Sequence, residues 1–296
     1  MNLTKSRETS YVLRLHTEPG IRGYEAWIKT RIKKGERSFF SGIKAEYSLE
    51  CKGFFNTEAL RYRLKCEKQI PVDSKGFPVK KVSKAMQIAL QLGSVNNDLT
   101  FQVSPGLKIL RLENTAEVRE KWNRIKPDLE KRYPDLKEYI ADYEWQLKED
   151  NIQRCYTEDT FYRFLFPDIF DKAHSEYFTT NREFVLHDAV EGLSLPVLWQ
   201  GKLKDFYRIL DTGKLEFRGE LQTDHPKFPG KKLNLLVGSL ADEGSQHALS
   251  FDYSGHYDLK PKSGRIEGGE VKTLVTIGNI YRKETETRLK LLRDER

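Results

Sequence analysis

The sequence predicts an α+β protein: a strongly curved antiparallel sheet, half-barrel-like, with a helical insert packed on its concave face. Three observations lead there. Apolar and polar residues alternate with period two at both ends of the 296-residue chain, glycines and prolines punctuate that alternation at hairpin spacing, and the middle of the chain changes to helical periodicity.

The first strand is read from Tyr24, Ala26, Ile28, Thr30 and Ile32 facing one way and Glu25, Trp27, Lys29, Arg31 and Lys33 facing the other. The same rhythm returns over Ile43–Cys51 and Leu60–Glu67. Gly35, Gly42 and Gly53 are taken as the hairpin turns between these strands. A helix follows in which Val82, Ala85, Met86, Ala89 and Leu90 form the apolar stripe, closing at Gly93. Leu99, Phe101 and Val103 then run into the turn Ser104-Pro105-Gly106, and Leu107, Ile109 and Leu112 return.

Asn114 followed by Glu117 has the form of a capping box opening a helix striped by Val118, Trp122, Ile125 and Leu129, which Pro127 should kink or restart. Pro134 suits the first turn of a second helix carrying Leu136, Tyr139, Ile140, Tyr143 and Leu147. A short aromatic helix runs through Phe161, Phe164 and Leu165 to Pro167. The alternation resumes near Phe184, one more helix is expected over 231–240, and the chain closes on strands at Leu249–Leu259, Val271–Ile277 and Tyr281–Leu291. Pro261-Lys262-Ser263-Gly264 and Gly278-Asn279 supply the turns between these last strands. No repeat, low-complexity run or linker marks a boundary. The expectation is one domain over 1–296, made of N-terminal strands and a helix (1–112), a helical insert (113–175), and C-terminal strands with a short helix (176–296). The sheet is either one curved layer or two halves bracketing the helices.

Net charge is +7, and residues 1–80 hold 17 Lys and Arg against 9 Asp and Glu. A basic first quarter suits an anionic partner, and it equally suits a solvated strand face on a basic protein. Trp27, Lys29, Arg31 and Lys33, with Arg61, Arg63 and Lys65 on a nearby strand, form the candidate basic surface. Sheets that bind single strands stack bases on several aromatics, and here one aromatic stands among the cations. Trp122, Tyr143, Phe161, Phe164, Phe166 and Phe170 form the candidate apolar pocket or docking surface, with ordinary core as the competing reading.

Recognisable chemistry is sparse. There is no phosphate loop, dinucleotide fingerprint or nucleophile elbow. The six histidines do not pair at metal-ligand spacing, and His187-Asp188 and Asp224-His225 are neighbours whose side chains point to opposite faces of a strand. Glu149-Asp150 and Glu158-Asp159 are assigned to helix starts. Cys51, Cys66 and Cys155 fit reduced thiols. No cofactor, metal or catalytic residue is expected. The start, Met1–Glu8, lacks a leader's apolar run, and no stretch approaches a membrane span, so the cytoplasm is expected; the periplasm or exterior follows if a leader has been lost.

Glycine-punctuated strands before and after a helical middle resemble the lipoprotein-carrier class, in which a half-barrel is plugged by helices and an apolar ligand lies between. The segment Val103-Ser104-Pro105-Gly106-Leu107-Lys108-Ile109, with Asn114, Val118, Arg119 and Trp122, resembles an uncharacterised bacterial family with relatives beside contractile secretion systems. The resemblance covers most of the chain in arrangement and about twenty residues in wording, and it implies no catalytic residues. The chain departs from the carrier class in having neither a secretion signal nor an acylated cysteine near its start. Expected functions are a non-catalytic binding or assembly protein docking another protein, such as an accessory of a bacterial secretion machine; a carrier of a lipophilic small molecule in the concave cavity; or a nucleic-acid binder through the basic face.

Overall fold

A computed structural model describes residues 10–177, 179–207, 209–240 and 248–295. The N-terminal stretch Met1–Glu8 and His247 lie outside the described residues. In chain order the elements are β1 (Tyr11–Val12), β2 (Gly20–Lys34), β3 (Arg37–Asn56), β4 (Ala59–Pro71), α1 (Lys84–Val95), β5 (Asp98–Val103), β6 (Ile109–Leu112) and α2 (Thr115–Arg132). A 3-10 turn (Pro134–Leu136) leads into α3 (Lys137–Gln146), α4 (Glu149–Thr157) and α5 (Thr160–Leu165). Then come β7 (Ala173–His174), β8 (Thr180–Val190), β9 (Leu193–Tyr207), β10 (Thr212–Leu221), α6 (Gly230–Leu240), β11 (Leu249–Lys260), β12 (Arg265–Ile277) and β13 (Tyr281–Glu295).

Among the described residues eleven strands form one open antiparallel sheet in the order β6-β5-β4-β3-β2-β13-β12-β11-β10-β9-β8, and β1 pairs separately with β7. Of the two arrangements the sequence allows, the single curved layer is the one observed. Its two halves join where the first long strand meets the last. Along that seam Ala26 opposes Leu289 and Ile28 opposes Thr287 on the dry face. On the wet face Lys29 opposes Glu286, Arg31 opposes Glu284 and Glu25 opposes Lys290. Buried, mostly apolar side chains beneath and opposite charges above select this register, since a slip of one residue would exchange the faces.

The curvature shows in what the insert touches. Phe166 meets Tyr62 of β4 and Phe101 of β5, with ring centroids at 5.9 and 5.4 Å, while Phe164 stacks on Tyr257 of β11 at 5.1 Å. On a flat sheet β4 and β11, five strand steps apart, would be separated by about 24 Å at ~4.8 Å per step. Both halves instead turn toward one short helix. Bulges interrupt β3 between Cys51 and Phe54, β8 between Leu186 and Val190, and β13 between Leu291 and Arg293, the irregularities that bend long strands.

Several local expectations are corrected. Gly42 and Gly53 lie inside the single long β3, Gly53 at φ +83° in its bulge, and the chain reverses at Thr57-Glu58 instead. A bulge glycine and a turn glycine carry the same signal in a sequence. Helix α1 runs past Gly93 to Val95 and buries Ile88, Leu92 and Val95, a stripe rotated from the expected one. Helix α2 passes through Pro127 without restarting. Asn114 does not cap it by side chain: its amide oxygen accepts the Thr100 N–H (2.8 Å) and its amide nitrogen donates to the Asp98 carbonyl (3.0 Å), pinning the helix start to β5. Helix α4 is a separate element, started at Glu149-Asp150 where the charge pattern placed a helix start.

The turn at Pro261–Gly264 receives the N-terminal segment. The His16 N–H donates to the Gly264 carbonyl at 3.1 Å, and Gly264 sits at φ +58°. A methyl there would overlap the Arg14 carbonyl oxygen and stand 2.8 Å from the Leu15 carbonyl carbon, both backbone atoms. Gly264→Ala is expected to destabilise by about 1–2 kcal/mol from its left-handed backbone alone, with the overlap added. Urea unfolding reads this, and a loss no larger than about 1–2 kcal/mol would show that the segment is not docked.

Candidate functional site

The insert covers the two halves of the concave face unequally. Over β4–β6 the helices form dry core: Trp122 of α2 packs its ring 5.0 Å from Tyr143 of α3, and Phe101, Val103, Val118, Leu129 and Ile152 are buried around them. Toward β8–β12 the insert supplies α5 and the segment after it, while α6 packs Leu233, Leu236 and Val237 into a separate apolar cluster with Leu186, Val190, Val197, Val275 and Ile277. On that side two cavities open, sharing Glu158, Thr160 and Leu186 in their walls.

The smaller, of about 330 Å³, is walled by Phe164 and Phe166 from the insert, Phe184 from β8, and Tyr253 and Tyr257 from β11. Glycines in the sheet make room for its aromatic floor. A Cβ on Gly219 would meet the Tyr253 ring at 2.9 Å, one on Gly255 would meet the Phe217 ring at 2.6 Å, and one on Gly201 would overlap the Trp199 ring. Rings therefore lie down on the sheet in a connected plate. Trp199 stacks on Phe217 (5.6 Å), Phe217 meets Tyr253 and Tyr257 (5.8 and 5.2 Å), and Tyr253 meets Phe184 (5.4 Å).

Two arginines stand among these rings. Arg163 donates from Nε to the Thr157 carbonyl (3.2 Å) and from Nη1 to the Val185 carbonyl (3.0 Å). Arg182 lies over the Trp199 ring with its Cζ 4.4 Å from the centroid and donates from Nη1 to the Pro167 carbonyl. Burial pulls the Arg163 pKa below its ordinary value, Glu158 opposes that, and the second guanidinium at Arg182 adds to it.

The larger cavity, of about 730 Å³, lies between Trp145, Arg154 and Cys155 of the insert and Thr30, Val275 and Lys283 of the central strands. At the boundary between the two, the Glu158 Oε2 is 2.8 Å from the His187 Nε2, and the His187 Nδ1 is 3.1 Å from the Ser194 Oγ. This chain ties the β8–β9 hairpin to the junction of α4 and α5. Burial lowers the His187 pKa, and the neighbouring Glu158 opposes the shift. Asp159, which accepts the Tyr162 N–H at 2.9 Å and caps α5, has its carboxyl pushed up by burial. Among the described residues no group of three or more His, Cys, Asp or Glu is placed to hold a metal ion, and the three cysteines are free.

The residues singled out by sequence fall as follows. Phe164 and Phe166 line the smaller cavity. Trp122 and Phe170 are buried core, Tyr143 packs on Trp122, and Phe161 packs on Tyr47 at 5.1 Å. The aromatic run is interior, not an exposed face. Trp27, Lys29, Arg31 and Lys33 project from the wet face of β2, where Lys44 and Lys29 approach the Trp27 ring (4.8 and 5.6 Å) and Arg31 reaches Glu284 at 4.0 Å. Arg61 pairs with Glu113 (2.6 Å), Arg63 with Asp98 (2.6 Å) and Lys65 with Glu67 (3.1 Å). Register separates the two groups. Trp27 opposes Lys44 and Arg63 opposes Glu50, six residues further along β3, about 20 Å at ~3.3 Å per residue.

Sequence reasoning missed Arg163, Arg182 and the His187–Glu158–Ser194 chain. Arg163 left a trace as the one cation inside the aromatic run Phe161–Phe170. His187 left none, because its partner Glu158 reaches it through the fold and not through spacing.

No protein-family model matches the chain, and no curated protein matches it. Among solved structures it is similar to lipovitellin, described for its lipid–protein interactions, at 11% identity over 94% of this chain and a TM-score of 0.44. The match spans 26% of the lipovitellin chain, about a quarter of its length. It is also similar to DynF from the dynemicin biosynthesis pathway of Micromonospora chersina, at 6% identity, covering 98% of this chain and 89% of that one, with a TM-score of 0.21. A third likeness is to a domain assigned to outer membrane lipoprotein sorting in Vibrio parahaemolyticus, at 7% identity, with 93% and 85% covered and a TM-score of 0.18. Among the described residues no helix is long and apolar enough to cross a membrane.

Proposed function

We propose that the protein carries a lipophilic small molecule between its helical insert and the second half of its sheet. One observation carries this reading: a cavity of about 330 Å³ walled by the rings of Phe164, Phe166, Phe184, Tyr253 and Tyr257, with Phe217 packed behind the two tyrosines. Its volume lies at the lower end of small-molecule sites, and its wall sets aromatic and aliphatic side chains beside six charged ones, Lys108, Glu158, Arg163, Asp168, Arg182 and Glu183. The glycines beneath the rings support the same reading, since strand glycines weaken a sheet unless something must approach its backbone closely.

Native mass spectrometry of the purified protein tests it. The expected result is a retained small molecule or, from stripped protein, saturable binding of a neutral apolar dye such as Nile red that Thr160→Phe, at the passage between the cavities, weakens. Ligand-free protein without saturable dye binding would overturn the carrier reading. If that protein also held a second polypeptide, the alternative of a docking accessory in a larger bacterial assembly would gain. Binding to nucleic acid has the least support, because Arg61, Arg63 and Lys65 are each engaged by a carboxylate.

A further inference from the structure

Resting on that carrier reading, we infer that the bound molecule is an amphiphile with a carboxylate head, held by Arg163 and Arg182 at one wall while its apolar body lies on the aromatic plate. Both guanidiniums line the same cavity of about 330 Å³ as Phe164, Phe184, Tyr253 and Tyr257. A wall built only to pack hydrocarbon has no need of two cations, and desolvating a charge is costly unless a partner answers it.

Three carboxylates line the same wall, Glu158, Asp168 and Glu183; Glu183 is exposed on β8, and the other two have partners of their own. Glu158 faces the His187 Nε2 at 2.8 Å. Asp168 is held by the Lys172 Nζ at 2.6 Å and stands 4.0 Å from the Arg182 Nη1. The hydrogen bonds of Arg163 run to main-chain carbonyls, which orient the side chain without neutralising it. The Arg182 Nε is buried and meets no hydrogen-bond partner among the described residues. The two guanidiniums also act on each other, since Arg182 adds to the lowering of the Arg163 pKa that burial begins. A monoanion between them would relieve that repulsion and could accept two N–H bonds from one planar fork, the geometry in which arginine prefers carboxylate.

Trp199 and the Pro167 carbonyl hold Arg182 in place before any ligand arrives, so little side-chain entropy is lost on binding. The cavity sets the size of the tail. At ~30 Å³ for each water-sized group, about 330 Å³ accommodates roughly eleven non-hydrogen atoms, the scale of a ten-carbon acid. A longer tail would pass Thr160 and Leu186 into the neighbouring cavity of about 730 Å³.

Isothermal titration of the full chain with a head-group series on one tail tests this: decanoate, 1-decanol, decyltrimethylammonium and decyl phosphate. Decanoate is expected to bind at least about tenfold more tightly than the alcohol or the ammonium, the equivalent of one charge-assisted hydrogen bond. Arg182→Gln and Arg163→Gln are expected to remove that advantage, read in each variant as the ratio of decanoate to decanol affinity. Should either variant fail to fold, the series on the unaltered chain still decides. Equal binding of decanol and decanoate, or tighter binding of decyl phosphate than of decanoate, would overturn the carboxylate assignment and leave the carrier reading standing. Failure of every tail to bind, with no retained ligand in the native mass spectrum, would remove the carrier reading and this inference with it.

Discussion

Truncating Trp122 to alanine is expected to lower the unfolding free energy by about 3–5 kcal/mol, the range for deleting a large aromatic side chain from a packed core. Trp122 is 2% exposed and its ring packs 5.0 Å from that of Tyr143. Tyr143 donates its hydroxyl to the Leu92 carbonyl or to Asn96 Oδ1, each at 3.3 Å, and Tyr156 reaches the same Asn96. One indole therefore supports α2 directly and, through two tyrosines, the end of α1 and the face of α4. The cavity left by alanine would lie under three helices that cannot all close on it, which places the expected cost toward the upper end. Trp122→Phe should cost much less, because the indole N–H is buried without a partner among the described residues and its removal leaves no acceptor orphaned. Urea titrations followed by far-ultraviolet circular dichroism would read both variants. Similar losses for alanine and phenylalanine would mean that the site collapses freely and that the packing account of the insert is wrong.

What the sequence disclosed and what it concealed divide along the range of the interactions. The period-two runs at Tyr24–Lys33 and Leu249–Leu259 needed only local pattern, and both are strands with the predicted faces inward. The turn at Pro261–Gly264 was legible because proline and glycine chemistry is local as well. The seam between β2 and β13 was not, since it joins the two ends of the chain; its charge ladder, Lys29 against Glu286 and Arg31 against Glu284, becomes visible only once the register is known. Gly42 and Gly53 misled because a turn and a bulge ask for the same residue. The aromatic run at Phe161–Phe170 stands out in the sequence, but whether its rings face solvent, core or cavity depends on curvature, which no short window of sequence encodes. The candidate site was thus half legible: Phe164 and Phe166 from the insert side, with Arg182, Phe184 and Tyr253 supplied by a sheet whose bending had to be seen.

Removing the Asp294 carboxylate is the second change with a large expected effect, about 3 kcal/mol or more for Asp294→Ala, because it leaves the shielded Arg22 guanidinium without its carboxylate and takes one partner from Arg265. Asp294 opposes Arg22 across the β2–β13 seam, where Arg22 Nε lies 3.4 Å from Oδ1, and Arg265 of β12 contacts Oδ2. All three side chains are largely shielded, at 17%, 10% and 17% exposure for Asp294, Arg22 and Arg265, so the attraction is weakly screened by solvent and the desolvation has already been incurred. Next to it, the Tyr24 hydroxyl donates to the Ile266 carbonyl at 3.0 Å, close to where the β12–β13 ladder ends. The carboxylate therefore holds three strands together at the edge of their pairing, and its loss should fray β13 from its C-terminal end before global unfolding. Hydrogen exchange of the amides over 286–294 in Asp294→Ala would show faster opening there than over 271–277. The double variant Asp294→Ala with Arg22→Met should recover part of the loss, since the cation left without its carboxylate is then gone. A loss below about 0.5 kcal/mol in the single variant, the level of an exposed ion pair, would show that the cluster is solvated and that the seam is held by its hydrophobic face alone.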